Sequence, residues 1–311
     1  MSGQADRVKS NKPIIDASVL LDCLGAVTVV HVGTRMGGAD PKDDFERRHL
    51  PGARFVVLDD ALAAAAGPVV GRHPMPSAEL FAAALGVAGI QHGQPVVAYD
   101  DRNGAWAARL VWMLRILDQP ATLLDGGLES WQGATETGPA EDQPTDWPIL
   151  TWPAEAIATA DDVVTHLASG GVVIDSRAPE RYRGDVEPID NVAGHVPGAM
   201  NLPFTDNLVD GRFRPLLEQR DRFAVLADDR AAIVYCGSGV TACHNALAIE
   251  AVGLPRPRVY VGSWSGWATD PRRPIATGPE PVSVIRRTKY LRMLGLGALA
   301  KTAARCHQNR R

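Results

Sequence analysis

Cysteine is scarce in this sequence, with four residues in a chain of 311, and their spacing fits neither a disulfide framework nor a paired zinc-ligand site. Long apolar runs are also absent, since no window approaches the roughly 18 apolar residues that span a bilayer. The polar start of the chain, MSGQADRVKSNKP, lacks the apolar stretch of a secretory signal. We therefore expect a cytoplasmic protein with reduced thiols, and nothing in the sequence implies a metal or an organic cofactor.

Acidic residues are absent from the end of the chain. Residues 281–311 carry eight lysines and arginines and no acid, whereas the whole chain has a formal net charge of −4. Residues 1–280 are therefore at −12, and such an acidic body argues against nucleic acid as a partner. Apolar residues recur in the basic tail at roughly helical spacing, which is compatible with an anionic membrane surface. Because Gly295 and Gly297 interrupt that pattern, we interpret the tail as a solvated segment.

The organising feature of the sequence is an internal duplication. The motif His-x-Pro-Gly-Ala occurs in both halves, each time after a β-branched run. Asp100 and Cys236 follow corresponding apolar runs and are 136 residues apart, and the same offset separates Trp131 from Trp267. Because short β-branched runs alternate with helical patterns, we predict two tandem α/β domains, each with a mostly parallel sheet flanked by helices.

The stretch 137–148 is rich in proline, threonine and acidic residues, which is typical of a linker. The predicted organisation follows from this stretch and from the duplication. It comprises an N-terminal domain at 1–140, a linker at 141–153, a C-terminal catalytic domain at 154–280 and a basic tail at 281–311.

Cys236 lies where the sequence predicts the carboxyl end of a buried strand and the start of a helix, which is where open α/β sheets bind ligands. The neighbouring glycines allow backbone N–H groups to point inward, and such a nest binds anions and favours a thiolate. We therefore predict that Cys236 is a nucleophile. The residues predicted to hold substrate or persulfide around it are Gly237, Gly239, Val240 and Thr241. By contrast, Cys243 is interpreted as buried and inert, and Cys23 and Cys306 lack a supporting context.

The segment Cys236-Gly-Ser-Gly-Val-Thr-Ala resembles the active-site loop of tandem-domain rhodaneses, in the form found in 3-mercaptopyruvate sulfurtransferases. Two further motifs, Gly-His-Val-Pro-Gly-Ala and Gly-Ser-Trp-Ser-Gly-Trp, resemble other signatures of that family. The resemblance implies a sulfurtransferase that moves a sulfane sulfur from thiosulfate or 3-mercaptopyruvate through a Cys236 persulfide to cyanide, a thiol or a thioredoxin-like protein. It also implies that the N-terminal domain, with Asp100 in place of the cysteine, is catalytically inactive.

By the same resemblance, Arg181 matches the substrate-binding arginine of the family, whereas we interpret Arg177 and Arg183 as ion-pair partners of nearby acids. Mercaptopyruvate enzymes carry a second substrate arginine downstream, but here that stretch is shorter and ends in Asp190. Thiosulfate enzymes place cations directly after the cysteine, where this chain has glycine and serine. The sequence therefore leaves the donor open.

The resemblance also implies a proton relay, in which Ser238 works with a histidine and an aspartate of the first domain. The matching histidine is His49, with Asp40, Asp43 or Asp44 as the acid that orients it. Such a relay suits protonation of a departing pyruvate enolate, because imidazole titrates near neutral pH.

An alternative interpretation is that His49 stabilises its own turn, as we expect for its duplicate His195. A further histidine, His73, follows Arg72, and we expect both at the domain interface, where the arginine adds positive charge. Gly262 and the nearby tryptophans are expected to be turn and core elements.

Two other functions compete with sulfur transfer. Cysteine phosphatases of related fold need Cys-x5-Arg, and here the arginine position is Ala242, so the phosphate clamp is missing. A non-catalytic module that uses this scaffold for protein contacts is disfavoured by the intact Cys236 loop.

Overall fold

The computed structural model describes residues 12–36, 40–140, 143–226 and 230–279. The basic tail and Cys306 lie outside the described residues, so their interpretation stays a prediction. Across the described residues, no helix combines the length and the apolar character that crossing a membrane requires.

The described part of the first repeat is built on one parallel sheet. Its strands are β1 (Ile14–Ile15), β2 (Thr28–Gly33), β3 (Arg54–Val57), β4 (Val96–Tyr99) and β5 (Ala121–Leu124). They lie in the order β1-β5-β4-β2-β3, and every neighbouring pair is parallel. The α-helices of this repeat are α1 (Ala17–Cys23), α2 (Pro41–Arg47), α3 (Leu58–Ala61), α4 (Ala78–Val87) and α5 (Ala107–Ile116).

The second repeat has the same sheet. Its strands are β6 (Ile157–Ala158), β7 (Val172–Asp175), β8 (Met200–Asn201), β11 (Ala232–Tyr235) and β12 (Arg258–Tyr260), with a hairpin of β9 (Leu208–Val209) and β10 (Arg212–Phe213). The parallel order is β6-β12-β11-β7-β8, which repeats the order of the first sheet. The α-helices here are α6 (Ala160–Ala168), α7 (Pro179–Arg183), α8 (Leu216–Arg222), α9 (Thr241–Ala251) and α10 (Ser263–Trp267). The prediction of two tandem α/β domains with parallel sheets is confirmed.

The central strands explain why the sequence forms this fold. All four residues of β4 and all four of β11 are buried, as expected for parallel strands covered by helices on both faces. Their continuous apolar runs, rather than alternating ones, are the sequence signal for this environment. The loop after β11 therefore begins in the interior of the second repeat, between β7 and β12.

The two repeats share a hydrophobic core. Every residue of α5 is buried, and so are the eight residues from Ala242 to Ile249 of α9. These two helices pack against each other and join one cluster of apolar side chains that draws on both repeats. Because both helices are buried on every side, each needs a cover on the face turned away from its own sheet, and the facing repeat supplies that cover. A partly buried ion pair between Arg115 and Glu250, at 2.5 Å, links the same helices.

The chain between the repeats is extended. Residues 143–153 form neither helix nor strand, and they contact Gly86 and Phe81 of α4. The Thr145 hydroxyl donates a hydrogen bond to the carbonyl of Ile90, and the Trp152 indole donates one to the carbonyl of Pro76. These contacts hold the segment against the first repeat, while the predicted boundaries at 141–153 stay a prediction.

Candidate active site

The Cys236 thiol lies at the base of the loop that joins β11 to α9. The backbone N–H of Gly239 points to the Cys236 sulfur at 3.1 Å. The backbone N–H of Cys236 donates to the Ser263 hydroxyl at 3.1 Å, and its carbonyl accepts from the N–H of Trp264 at 2.9 Å. These bonds tie the strand end to α10, and Cys236 is only 2% exposed.

Gly239 is required by the shape of this loop. Its φ of +79° lies in the left-handed region, and a Cβ there would come within 2.5 Å of the Val261 carbonyl. The remaining predicted residues follow in order: Ser238 is buried in the loop, Val240 is buried, and Thr241 begins α9. The loop therefore brings the predicted residues together, while their roles in binding stay predictions.

A buried arginine of the first repeat reaches the loop. Arg109 lies on α5, is fully buried, and donates to the carbonyl of Gly239 at 2.9 Å. It also donates to the carbonyls of Leu62 and His73. Burial lowers the pKa of Arg109, and the neighbouring thiols of Cys243 and Cys236 act in the opposite direction. Within the part of the chain that the structure describes, Arg109 has no carboxylate partner, and such a guanidinium favours the negative form of a nearby thiol.

Sequence reasoning missed Arg109, although a signal existed. The run from Ala105 to Leu117 is almost entirely apolar, and a charged residue inside a fully buried helix needs dedicated partners. Those partners are carbonyl groups on other segments, which no local pattern identifies.

Two more guanidinium groups approach the loop at Gly237. A Cβ on Gly237 would lie 2.9 Å from an Arg72 nitrogen and 3.5 Å from both terminal nitrogens of Arg181. Arg181 comes from α7 of the second repeat, as the sequence led us to expect for a residue near the site. Arg72 comes from the first repeat, so the cationic side of the loop is built by both repeats.

A turn of the first repeat fixes Arg72 against α10. The backbone N–H of Arg72 donates to the Ser265 hydroxyl at 3.1 Å, and that of Val69 donates to the Thr269 hydroxyl at 2.9 Å. Gly71 has a φ of +91°, and a Cβ on it would lie 2.5 Å from the carbonyl of Gly262. The expectation that Arg72 lies at the interface therefore agrees with the structure.

Acidic side chains surround these arginines. Arg72 and Arg181 both pair with Asp190, the latter at 3.2 Å, and Arg181 also pairs with Glu187 at 2.7 Å. Burial raises the pKa of Asp190, helped by the charge of Glu187 and opposed by the arginines. Burial acts to raise the pKa of Glu187 as well, but hydrogen bonds from Arg181 and from backbone amides outweigh it and lower that pKa.

The other two arginines of this segment are ion-pair partners, as interpreted from the sequence. Arg177 is buried and pairs with Asp175 at 2.7 Å. Arg183 pairs at the surface with Asp185 at 2.7 Å.

The contacts of His49 match those of its duplicate. The His49 Nδ1 lies 2.9 Å from the Phe45 carbonyl, and its ring stacks on the Phe45 ring at 4.1 Å. His195 repeats this arrangement with Tyr182, at 2.7 Å and 3.7 Å. Among the described residues, the hydrogen bonds, ion pairs and ring contacts of His49 all lie within the first repeat. They favour the alternative in which His49 stabilises its own turn.

The three acids considered for His49 belong to α2. Asp40 caps this helix by accepting the N–H of Lys42, Asp44 pairs with Arg47 at 2.7 Å, and Asp43 lies in the first turn. Among the described contacts, none of them is a partner of the His49 ring, so a relay through these residues gains no support.

A different histidine faces an aspartate at the interface. The His73 Nε2 lies 3.8 Å from a carboxylate oxygen of Asp59, and its backbone carbonyl accepts from Arg109. Burial and the charge of Arg109 lower the pKa of His73 to about 4, against the opposing effect of Asp59. His73 and Arg72 also line a cavity of about 500 Å³. The sequence contained His73, but no motif linked it to Asp59.

The buried Cys243 fits its interpretation as an inert thiol. It lies on α9, and its sulfur donates to the carbonyl of Gly239 at 3.3 Å. Burial raises the pKa of Cys243 to about 12, so this thiol stays protonated at neutral pH. Trp264 and Trp267 are fully buried, as expected for core residues.

Comparison with known proteins places this geometry in a family. The rhodanese-like domain matches the chain twice, at residues 18–134 and 159–270. A Pseudomonas aeruginosa protein provisionally named a 3-mercaptopyruvate sulfurtransferase is 42% identical over 271 residues, covering 84% of this chain and 92% of that protein. A Mycobacterium tuberculosis protein provisionally named a thiosulfate sulfurtransferase is 39% identical over 263 residues, covering 81% and 91%.

A solved structure has the same fold as this chain. The 3-mercaptopyruvate sulfurtransferase from Leishmania major superposes with a TM-score of 0.75 at 27% sequence identity, covering 86% of this chain and 76% of that one. The similarity therefore extends over both repeats, and the names of the relatives include both kinds of sulfur donor.

Proposed function

The chain belongs to the rhodanese family of sulfurtransferases, and from this membership we propose that Cys236 carries a sulfane sulfur from an anionic donor to a thiophilic acceptor. The observation that carries the proposal is the setting of the Cys236 sulfur. It receives the Gly239 N–H, it lies near the buried Arg109, and the guanidinium groups of Arg72 and Arg181 approach the next residue. A negative sulfur is stabilised at the base of this loop, and a negative donor is attracted to its rim.

In the first step, the Cys236 thiolate attacks the outer sulfur of the donor. With thiosulfate, a new S–S bond forms while the S–S bond of the donor breaks, and the electron pair leaves with sulfite. With 3-mercaptopyruvate, the C–S bond breaks and the electron pair leaves on the carbon of the pyruvate enolate. That carbon then takes up the proton that the donor thiol gives up. Both routes leave a Cys236 persulfide.

In the second step, an acceptor attacks the outer sulfur of the persulfide and regenerates the Cys236 thiolate. Cyanide, a small thiol or a thioredoxin-like protein has the chemistry that this step needs, since each is a sulfur nucleophile or a carbon nucleophile toward sulfur. The donor is thiosulfate or 3-mercaptopyruvate, in keeping with the names of the two relatives.

The proton transfer with 3-mercaptopyruvate needs a group that accepts a proton and then returns it. We assign this task to His73 rather than His49, because Arg109 bonds both to the His73 carbonyl and to the Gly239 carbonyl of the Cys236 loop, and because the His73 ring faces Asp59. Its Nδ1 has no hydrogen-bond partner among the described residues. A neutral imidazole can take the proton of the donor thiol and deliver it to the enolate carbon.

The test of the persulfide is direct. After treatment with either donor, mass spectrometry should find a gain of about 32 Da, the mass of one sulfur, on the peptide that contains Cys236. Cyanide should remove this mass. The variant Cys236→Ser should lack the adduct, whereas Cys243→Ser should keep it because the Cys243 thiol stays protonated.

Two outcomes contradict the proposal: an adduct that survives in Cys236→Ser, or the absence of an adduct with both donors. The ratio of kcat/KM for thiosulfate and 3-mercaptopyruvate then decides between the two donors.

A further inference from the structure

The two arginines at the rim of the loop already hold a carboxylate of the chain itself. One oxygen of Asp190 pairs with Arg72, and the other pairs with Arg181 at 3.2 Å. The Asp190 side chain is only 8% exposed, and the two guanidinium groups lie beside Gly237, next to the nucleophile. A carboxylate therefore occupies the position that the anionic group of a donor needs.

The other charged side chains near the loop have partners of their own. Arg177 is committed to Asp175 and to Glu187, and Arg109 bonds to backbone carbonyls. Glu187 pairs with both Arg181 and Arg177. An anionic donor that reaches Cys236 must consequently compete with Asp190 for the guanidinium groups of Arg72 and Arg181.

Among the described residues, the segment that carries Asp190 has polar contacts on its inner side and exposed apolar side chains on its outer side. Val186, Ile189 and Val192 of this segment are 52%, 58% and 37% exposed. Its inward contacts include the carboxylates of Asp190 and Glu187 and the carbonyl of Val192, which accepts a hydrogen bond from the Trp264 indole at 2.8 Å. Glu187 also accepts the backbone N–H groups of Ile189 and Asp190. Because its apolar side chains already face solvent, moving this segment outward sacrifices ion pairs but little apolar burial.

We propose that Asp190 is a built-in competitor for the anionic group of the donor and thereby determines the affinity of the site for donors. It covers the buried Cys236 until a compact carboxylate or sulfonate-like group takes its place on Arg72 and Arg181. This role rests on the proposed function for the identity of the donor, but the competition itself concerns anion binding and requires no turnover.

The experiment measures the binding of unreactive anions to the full chain by calorimetry, with sulfate and pyruvate as the probes. In Asp190→Asn, which keeps the shape but removes the charge, we expect the Kd for both anions to fall about tenfold. The KM for the donor should fall by a similar factor, while kcat changes much less. Asp190→Glu keeps the charge and should retain the weaker binding of the unaltered protein.

The matched control is Asp185→Asn. Asp185 lies five residues earlier, and it pairs at the surface with Arg183, away from Gly237. Its removal should leave the Kd for sulfate and pyruvate unchanged. If Asp190→Asn melts without a cooperative transition, Asp190→Ser removes the same charge with a smaller side chain and decides the question.

Unchanged or weaker binding of sulfate and pyruvate in the folded Asp190 variants overturns the inference, because a competitor that is removed must strengthen its rival. Failure of sulfur transfer in the unaltered protein would instead count against the proposed function, while the calorimetric result would still stand.

Discussion

In the first repeat, the loop after β4 closes on a carboxylate, whereas in the second repeat the loop after β11 closes on a thiol. The Asp100 carboxylate is almost fully buried and accepts four backbone N–H groups, each at 2.8 Å, from Arg102, Gly104, Trp106 and Ala107. In the second repeat, the N–H of Gly239 points to the Cys236 sulfur instead. Both loops gather amides around a group that can be negative, but only one of those groups can carry a transferable sulfur.

The comparison separates contacts that maintain the fold from contacts that serve chemistry. His49 and His195 keep the same stacked ring and the same carbonyl contact in both repeats. The neighbouring strand ends differ, because β2 carries the uncharged His31 beside Tyr99 where β7 carries Asp175, the partner of Arg177. We therefore propose that the first repeat retains the contacts that stabilise its turns but has no catalytic role.

The largest effect is expected when the buried Asp100 carboxylate of the first repeat is removed. Asp100→Ala leaves four buried N–H groups without their acceptor, and each such loss is costly in a buried site. We expect the free energy of unfolding, measured by urea denaturation, to fall by about 3 kcal/mol after partial relaxation of the loop. Sulfur transfer per folded molecule should be unchanged.

The control for this variant is Asp101→Ala at the next position, where the side chain is 37% exposed, and it should change stability far less. A loss of sulfur transfer in the folded Asp100→Ala protein would show that the first repeat takes part in the reaction. That result would contradict the proposed difference between the two repeats.

The second test separates the two histidines of the first repeat. His73→Gln should lower kcat for 3-mercaptopyruvate by about 100-fold, since it removes the proposed proton carrier. It should affect thiosulfate less, because sulfite leaves without protonation of carbon. His49→Gln should lower the melting temperature and leave kcat for both donors nearly unchanged.

Equal losses with the two donors in His73→Gln would assign this histidine a structural role. A loss of kcat in folded His49→Gln, specific to 3-mercaptopyruvate, would instead restore the relay that the sequence suggested.

The fold and the position of the Cys236 loop could be predicted because each leaves a local pattern. Apolar runs mark the buried strands, and the 136-residue offset aligns Asp100 with Cys236. The contacts that complete the site join distant parts of the chain: Arg109 reaches Gly239 across 130 residues, and Arg72 reaches Asp190 across 118. No periodicity encodes such pairs. Asp190 illustrates this limit on sequence-based prediction. The sequence shows only that an arginine is missing at this position, and not that the Asp190 carboxylate pairs with Arg72 and Arg181.

The smallest expected effect concerns Arg109, a residue of the first repeat whose side chain contacts the Cys236 loop of the second. Arg109→Met keeps much of the side-chain volume but removes the buried charge near the Cys236 sulfur. With less positive charge nearby, the negative form of the sulfur loses electrostatic stabilisation. We expect the rate of Cys236 alkylation by the neutral reagent iodoacetamide to fall about tenfold at neutral pH, and kcat/KM to fall by a similar factor.

The same helix offers a matched control for this variant. Arg115 is also buried on α5, but it pairs with Glu250 and donates to the Ala121 carbonyl rather than approaching the loop. Arg115→Met should therefore weaken the contact between α5 and α9 without slowing the alkylation of folded protein. Equal alkylation rates in the two variants would mean that Arg109 only joins the repeats. A slower rate in Arg109→Met alone would mean that the first repeat supplies the charge that activates the Cys236 thiol of the second.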